Sequence, residues 1–581
     1  MFDVHIGDDQ PMPQIPDNLT LAQFMLDHDH DIRPARGRVP ALIDDITGER
    51  VSLEKLRLRT RYLANALFSE FGIGKDDTVM ILSPNHINHP VALWAIHRLG
   101  GTVTCSNPQL KADEVTYQLH LAKVTFMIVH SSALQLGLEA ASAVGLPMHR
   151  IILLDSVPPS SRILRRFQSV QDLILMGEQL PRKCRQFVLR AGEGKTKVAL
   201  LCWSSGTTGK PKAVAISHHA LIANILQMAA HNQVGKPPVR REGRSHRVGD
   251  IALGALPFFH NAGLVIGLHL VVFCGMTLVI PPKFDTFPDM LDTIVRHKVC
   301  HLFLVPPHAV AFCKHPAVIK GNYSRVKYVM IGAAPVSREM QENMYEIFPD
   351  AQIGQAYGLT ETVCTLAMIA PSQRYGPLGS GGRLLPGIKA IVVKEDGSLA
   401  RHGETGELVV KSPATALRYL NNPQATEETF RDGWVHTGDE VMLSCEQEIF
   451  IIDRLKELIK VQGFQVAPAE LEGCLLSHPS VADACVVGTP DDYSGEAPLA
   501  FVVLTATAAT NDLAQLSYLR DSIIKHVANR KAPYKRLKGG VRFVDAIPKT
   551  GSGKLMRRVL REQARQKILS DDTPPHLSAK L

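Results

Sequence analysis

Ser204-Ser205-Gly206-Thr207-Thr208-Gly209-Lys210-Pro211-Lys212 follows directly on the apolar run Lys197-Val198-Ala199-Leu200-Leu201-Cys202-Trp203. A hydrophobic strand thus ends in a short stretch carrying four hydroxyls, two glycines and two lysines. Glycines admit close backbone approach, and successive N–H groups form an anion-binding concavity. Hydroxyls and ammonium groups add donors and positive charge. The stretch reads as a polyphosphate clamp, with a plain hydrophilic turn as the alternative. It is not a P-loop, which needs four residues between its glycines and Gly-Lys-Ser/Thr at a helix start. Here two residues separate Gly206 from Gly209, and Pro211 biases Lys210 toward extended backbone. Gly551-Ser552-Gly553-Lys554 fails the same test, because Pro548 stands where the first glycine belongs. Phosphate chemistry is indicated; kinase or GTPase architecture of the Walker type is excluded.

Outward from this run, short β-branched segments alternate with longer helical patterns. Strands are expected at 77–82, 102–105, 126–129, 249–256, 276–280, 301–305 and 327–331, with a helix near 89–99. Nearly continuous apolar strands separated by crossover helices predict parallel α/β layers covered on both faces. Between 383 and 453 the texture changes to short strands punctuated by Asp396-Gly397, Thr405-Gly406 and Asp432-Gly433, which favour tight turns. After Asp453-Arg454 a helix at 468–477 and strands near 484–488 and 499–504 predict a small separate layer. The expected domains are residues 1–452 and 453–568, followed by a tail at 569–581.

The 581 residues exceed a single core, and a composition 45% hydrophobic and 21% charged belongs to a folded globular chain. The ten cysteines include no CxxC and read as free thiols in a reducing compartment. The N-terminus lacks the basic and apolar regions of a secretory signal. Apolar runs such as 262–274 are too short to span a bilayer, so no transmembrane segment is expected. The net charge of +8 is spread along the chain, and no basic–aromatic alternation points to nucleic acid. The densest basic cluster, Arg240–Arg247, reads as a solvated loop.

Several distant segments tell one story with the 204–212 run. They are Gln355-Ala356-Tyr357-Gly358-Leu359-Thr360-Glu361, Trp434-Val435-His436-Thr437-Gly438-Asp439, Asp453-Arg454-Leu455-Lys456-Glu457-Leu458-Ile459-Lys460, Gly463-Phe464-Gln465 and Pro548-Lys549-Thr550-Gly551-Ser552-Gly553-Lys554. In order, spacing and coverage of about residues 40–560 the chain resembles the adenylate-forming acyl-CoA synthetases, especially the 4-coumarate-CoA ligase-like and fungal acyl-CoA ligases. The resemblance implies a large N-terminal adenylation domain of α/β subdomains with a β-rich part, and a small mobile C-terminal α/β domain. It implies two half-reactions: a carboxylate attacks the α-phosphorus of Mg-ATP, then the thiol of coenzyme A displaces AMP from the acyl adenylate.

The resemblance also implies roles. Ser204, Ser205, Gly206, Thr207, Thr208, Gly209 and Lys212 form the phosphate cradle, with Lys212 and Thr207 counted as catalytic; Lys210 either contacts phosphate or faces solvent. Glu361 positions Mg²⁺, consistent with that ion's preference for oxygen ligands beside substrate phosphates. Gly332, Ala333, Ala334, Pro335, Gln355, Tyr357, Gly358 and Thr360 line the nucleotide, Asp439 receives the ribose hydroxyls and Arg454 reaches the sugar and phosphate. Lys554 is the adenylation lysine. Lys456 is the hinge, Lys460 and Gln465 serve nucleotide positioning and the CoA step, and Gly463 and Phe464 wall the pantetheine channel. Phe259, His260, Asn261, Val305 and Pro306 border the acid, with His260 a gate or carboxylate contact rather than a general base. Val461-Gln462 departs from the Tyr-Lys of many plant relatives. An apolar acid is favoured; aromatic, medium-chain and polyketide-derived acids stay open. So do transfer to a separate carrier protein, luciferase-like chemistry, and a non-catalytic binding module. The final Ala579-Lys580-Leu581 resembles the small–basic–leucine peroxisomal address, which implies a peroxisomal import receptor as partner and the peroxisome as location.

Overall fold

The computed structural model describes residues 5–6, 11–156, 163–181, 184–204, 211–235, 246–281, 286–334, 336, 338–455, 457–461, 464–491, 494–550 and 554–568. Three sheets organise them. The first has the order Arg418–Tyr419, Lys212–Ser217, Val198–Ser204, Thr102–Ser106, Thr78–Leu82, Phe126–Val129, Ile151–Leu153. From Val198–Ser204 onward its pairs are parallel, whereas Val198–Ser204 and Lys212–Ser217 form an antiparallel hairpin. Thr78–Leu82 shows why the parallel layers form: four of its five residues are buried, so both faces need cover. Helix His89–Arg98 supplies it and is buried along its whole length.

The second sheet changes character midway. Leu42–Asp44, Thr277–Ile280, Ile251–Leu253, His301–Leu304, Tyr328–Ile331 and Gln352–Tyr357 run parallel. From Ala367–Met368 onward the pairing is antiparallel, through Ser380–Leu384, Glu448–Arg454, Trp434–Leu443, Thr405–Lys411 and Lys389–Val393. This is the β-rich texture of 383–453. One apolar core joins the two large sheets, filled by Trp94, Leu221, Ile225, Leu226, Val265 and Leu268. The last two lie on a π-helix, Ala262–Leu270, where an apolar run alone was expected.

Glu448–Arg454 still belongs to the second sheet, while Ile459–Val461 opens the third. That sheet is dominated by a long hairpin, Val481–Asp491 with Gly495–Leu504, covered by helices Pro468–Leu476 and Leu513–Arg530 around its own core. The expected segments 484–488 and 499–504 lie within its two strands, away from the turn. All ten cysteines are free. No described helix is long and apolar enough to cross a membrane.

Candidate active site

The strand ends set the site. In α/β sheets, ligands bind beyond the carboxyl ends of the parallel strands. Tyr328–Ile331 and Gln352–Tyr357 are adjacent parallel strands, and their ends lead into Gly332-Ala333-Ala334 and Gly358-Leu359-Thr360-Glu361. Val198–Ser204 ends at the clamp, with Ser204 directly opposite Lys212 across the hairpin. Gly358 cannot be another residue, since a Cβ there would lie 1.6 Å from the Cys364 carbonyl oxygen.

A cavity of about 460 Å³ opens over these ends. Ala333, Ala334, Gln355, Tyr357 and Gly358 line one side, and Asp439, Arg454 and Lys554 the other. Asp439 and Arg454 face each other in the antiparallel ladder, so two motifs separated in sequence become one pair through strand register. Arg454 Nε lies 3.2 Å from Asp439 Oδ1, and the Tyr357 hydroxyl donates to Oδ2 at 2.6 Å. Burial raises the Asp439 pKa, opposed by Arg454 and the Tyr357 hydrogen bond. The Gln355 side chain holds the neighbouring loop by accepting from Val336 N at 3.1 Å and donating to Gln341 at 3.1 Å.

Lys554 comes from the small domain. Its peptide N–H donates to Thr550 Oγ1 at 3.1 Å, and Thr550 N–H donates to the Lys554 carbonyl at 2.8 Å, which ties the two residues together. Burial brings its ammonium pKa down to about 8; Arg454 adds to the effect, while Glu457 and Asp439 oppose it. The same charge reaches His260, whose pKa falls to about 4 through burial first and Lys554 second. His260 is therefore neutral at physiological pH, in keeping with a gate or hydrogen-bonding role. Arg557, three residues beyond Lys554 at the start of helix Arg557–Ile568, binds Glu457 at 2.5 Å and Glu472 at 2.7 Å. Arg557 looks like an ordinary surface charge in the sequence, and its partners Glu457 and Glu472 carry no assigned role there.

Glu361 forms the second centre. It is 8% exposed, accepts from Ser204 Oγ at 3.1 Å and from the Tyr419 hydroxyl at 2.7 Å, and sits on the single turn Thr360–Thr362. Lys212 Nζ rests 4.6 Å from the centre of the Tyr419 ring. Tyr419 thus joins the clamp lysine to the acidic residue, although nothing local marks it. Among the described residues no group of three or more His, Cys, Asp and Glu side chains could hold a metal alone. A single carboxylate beside hydroxyls nonetheless fits Mg²⁺, which usually binds one or two carboxylates together with substrate phosphates and water.

Other expected residues lie elsewhere. Asn261 is 3% exposed and turned away from the cavity: its amide donates to the Val363 carbonyl, and its oxygen accepts from the Cys202 thiol. It braces Val363, a β-branched residue at φ 68° just beyond Glu361. Val305 is buried at the head of helix Pro306–Lys314, whereas Pro306 lines the cavity and Phe259 packs against the main core. Lys460 and Gln465 are direct cross-strand partners and exposed, on a hairpin outside the cavity lining. Phe464 is exposed beside them and stacks on Tyr534 at 4.6 Å. Ser205, Gly206, Thr207, Thr208, Gly209, Lys210, Pro335, Lys456 and Gly463 fall outside the described residues.

Adjacent β-strand ends, a carboxylate–arginine–tyrosine cluster and a lysine from the small domain thus meet in one cavity. Residues 33–420 match the family described as AMP-binding enzyme, and residues 470–554 match the AMP-binding enzyme C-terminal domain. The chain is 35% identical over 559 residues to 4-coumarate–CoA ligase 5 of Oryza sativa subsp. japonica, covering 94% of this chain and 95% of that protein. It is 33% identical over 564 residues to acyl-CoA ligase easD of Emericella nidulans, covering 94% and 97%. Among solved structures, o-succinylbenzoate CoA synthetase of Bacillus subtilis with its acyl-adenylate intermediate superposes with TM-score 0.73 at 26% identity, covering 94% of this chain and 98% of that one. The chain belongs to the AMP-binding enzyme family. It is an AMP-forming acyl-CoA ligase that activates a carboxylic acid through an acyl adenylate.

Proposed function

We propose that this ligase takes an apolar carboxylic acid, that Lys554 drives its adenylation, and that the small domain then turns to present Lys460 and Gln465 for transfer to CoA. The observation that carries this reading is the split disposition of the small domain. Lys554 is inside the nucleotide cavity, while the Lys460–Gln465 pair is outside it. Two reactants must reach one carbonyl by different routes, and a domain carrying both sets of groups on different faces meets that need.

In the first step an acid oxygen forms a bond to the α-phosphorus as the bond to pyrophosphate breaks. Fixed cations there stabilise charge without reorganising. Lys554, Arg454 and Lys212 are the cations, and Asp439 with Tyr357 orients the sugar. In the second step the CoA sulfur bonds to the acyl carbon, AMP leaves with the former carboxyl oxygen, and the thiol proton passes to solvent. Acid-side preference rests on Phe259, neutral His260 and the wholly apolar π-helix beyond it, save His269.

ATP- and CoA-dependent thioester formation is the test, with 4-coumarate, benzoate, decanoate and succinate. The monocarboxylic acids should be turned over and succinate rejected; preferential use of succinate overturns the apolar reading. Mg²⁺ held by Glu361 would neutralise phosphate charge. Glu361→Gln is expected to raise the Mg²⁺ concentration for half-maximal pyrophosphate exchange about tenfold or more, whereas an unchanged Mg²⁺ titration removes Glu361 from that role. The terminal Ala579-Lys580-Leu581 supports peroxisomal import by its receptor. Deleting those three residues should convert a punctate distribution into a diffuse one, and identical distributions reject the address.

A further inference from the structure

The nucleotide cavity continues outward between helix Pro306–Lys314 of the large domain and helix Pro468–Leu476 of the small one. Both helices end at this point. Helix C-termini carry unpaired carbonyls and partial negative charge, so two of them converging need donors and a cation. Lys314, the last residue of the first helix, supplies both. Its Nζ lies 3.0 Å from the carbonyl oxygen of Leu476, the last residue of the second helix, and 2.5 Å from that of Val481, where the next strand begins.

We infer that Lys314 is a docking residue that holds the small domain in the arrangement placing Lys554 over the nucleotide, and so sets the balance between the two half-reactions. It touches neither the Asp439–Arg454–Tyr357 cluster nor Glu361 and acts by position alone. A contact made in one arrangement stabilises that arrangement only. The acceptors are main-chain carbonyls, so substitutions in the small domain cannot remove them, and Lys314 is the point where the latch can be tuned. The inference rests on the proposed alternation of the small domain, and the experiment separates the two.

Full-length Lys314→Met, Lys314→Arg and Lys554→Ala enzymes are compared, using whichever of 4-coumarate, benzoate and decanoate turns over fastest. Acid-dependent ATP–pyrophosphate exchange reports adenylation, and thioester formation from supplied acyl-AMP and CoA reports transfer. Lys314→Met is expected to lower exchange about tenfold, the low end of the scale for a hydrogen bond to a charged group, and to leave transfer unchanged or faster. Lys314→Arg restores most of the exchange. If Lys554→Ala separates the half-reactions and Lys314→Met does not, the docking role is overturned. Equal loss in both assays with a lowered Tm shows a purely structural lysine and overturns it as well. If Lys554→Ala itself fails to separate them, the alternation reading beneath falls.

Discussion

Lys554→Ala is expected to slow acyl-adenylate formation by about 10²- to 10³-fold while leaving thioester formation from supplied acyl-AMP within about threefold, the scale of removing one preorganised charge from an enclosed site. The side chain lines the nucleotide cavity beside Asp439 and Arg454, and its charge is felt at His260 on the acid side. In the proposed reading it thus sits between the nucleotide and acid ends of the first reaction. The same geometry gives a pH signature. With its pKa brought down to about 8 by burial and by Arg454, the ammonium of the free enzyme is charged below pH 8 and neutral above. The kcat/KM of adenylation, which reports the free enzyme, should therefore fall about tenfold per pH unit above pH 8, and transfer from supplied acyl-AMP should not. Lys554→Arg, which stays charged, should lose that limb. Equal loss of both half-reactions in Lys554→Ala, or a pH limb that survives Lys554→Arg, contradicts the assignment.

The sequence displayed the parts of this site but not their connections. Phe126–Val129 and Tyr328–Ile331 were readable because parallel strands covered on both faces are continuously apolar. The hairpin Val481–Asp491 with Gly495–Leu504 was readable only away from its turn, because Pro490, Asp491 and Glu496 at its turn end carry no strand signal. Asp439 and Arg454 each lay in a recognisable motif. Their partnership follows from the register of a hairpin turning at Ser444–Gln447, which a one-residue slip would destroy. Tyr419 was invisible. It lies 58 residues from Glu361 and reaches it only because the two-residue strand Arg418–Tyr419 pairs with the strand that follows the clamp. Asn261 shows the converse. Its neighbours suggested contact with the acid, but its amide meets Val363 and Cys202 instead, bonds that depend on three distant segments converging. Motifs mark residue types under chemical demand; the braces that hold them are set by packing.

Packing also hides the second large effect. Lowering the pH from 7 to 5 is expected to destabilise the large domain and lower its Tm. His89, His97, His218 and His269 are fully buried and His246 nearly so. Burial brings the pKa of His89 and His269 down to about 3 and that of His97 to about 4, and carries His218 and His246 well below the ordinary value. The hydrogen bonds require the neutral ring. His269 donates from Nδ1 to the Leu264 carbonyl at 2.7 Å, so its Nε2 is the acceptor for the Trp94 N–H at 3.2 Å. His218 Nδ1 accepts from Leu21 N–H at 3.0 Å. A folded pKa below the unfolded value of about 6.5 means the stability is fully present above pH 6.5 and is lost as the unfolded chain takes up protons that the folded chain refuses. Each histidine then costs on the order of 1.4 kcal/mol per pH unit until its folded pKa is reached. The five rings act in the same direction, against a typical total stability of only about 5–15 kcal/mol. Trp94, buried against His269, supplies the probe: its fluorescence and the near-UV circular dichroism should change together across the transition. A Tm constant from pH 7 to 5 would mean that these rings are not held neutral by the core.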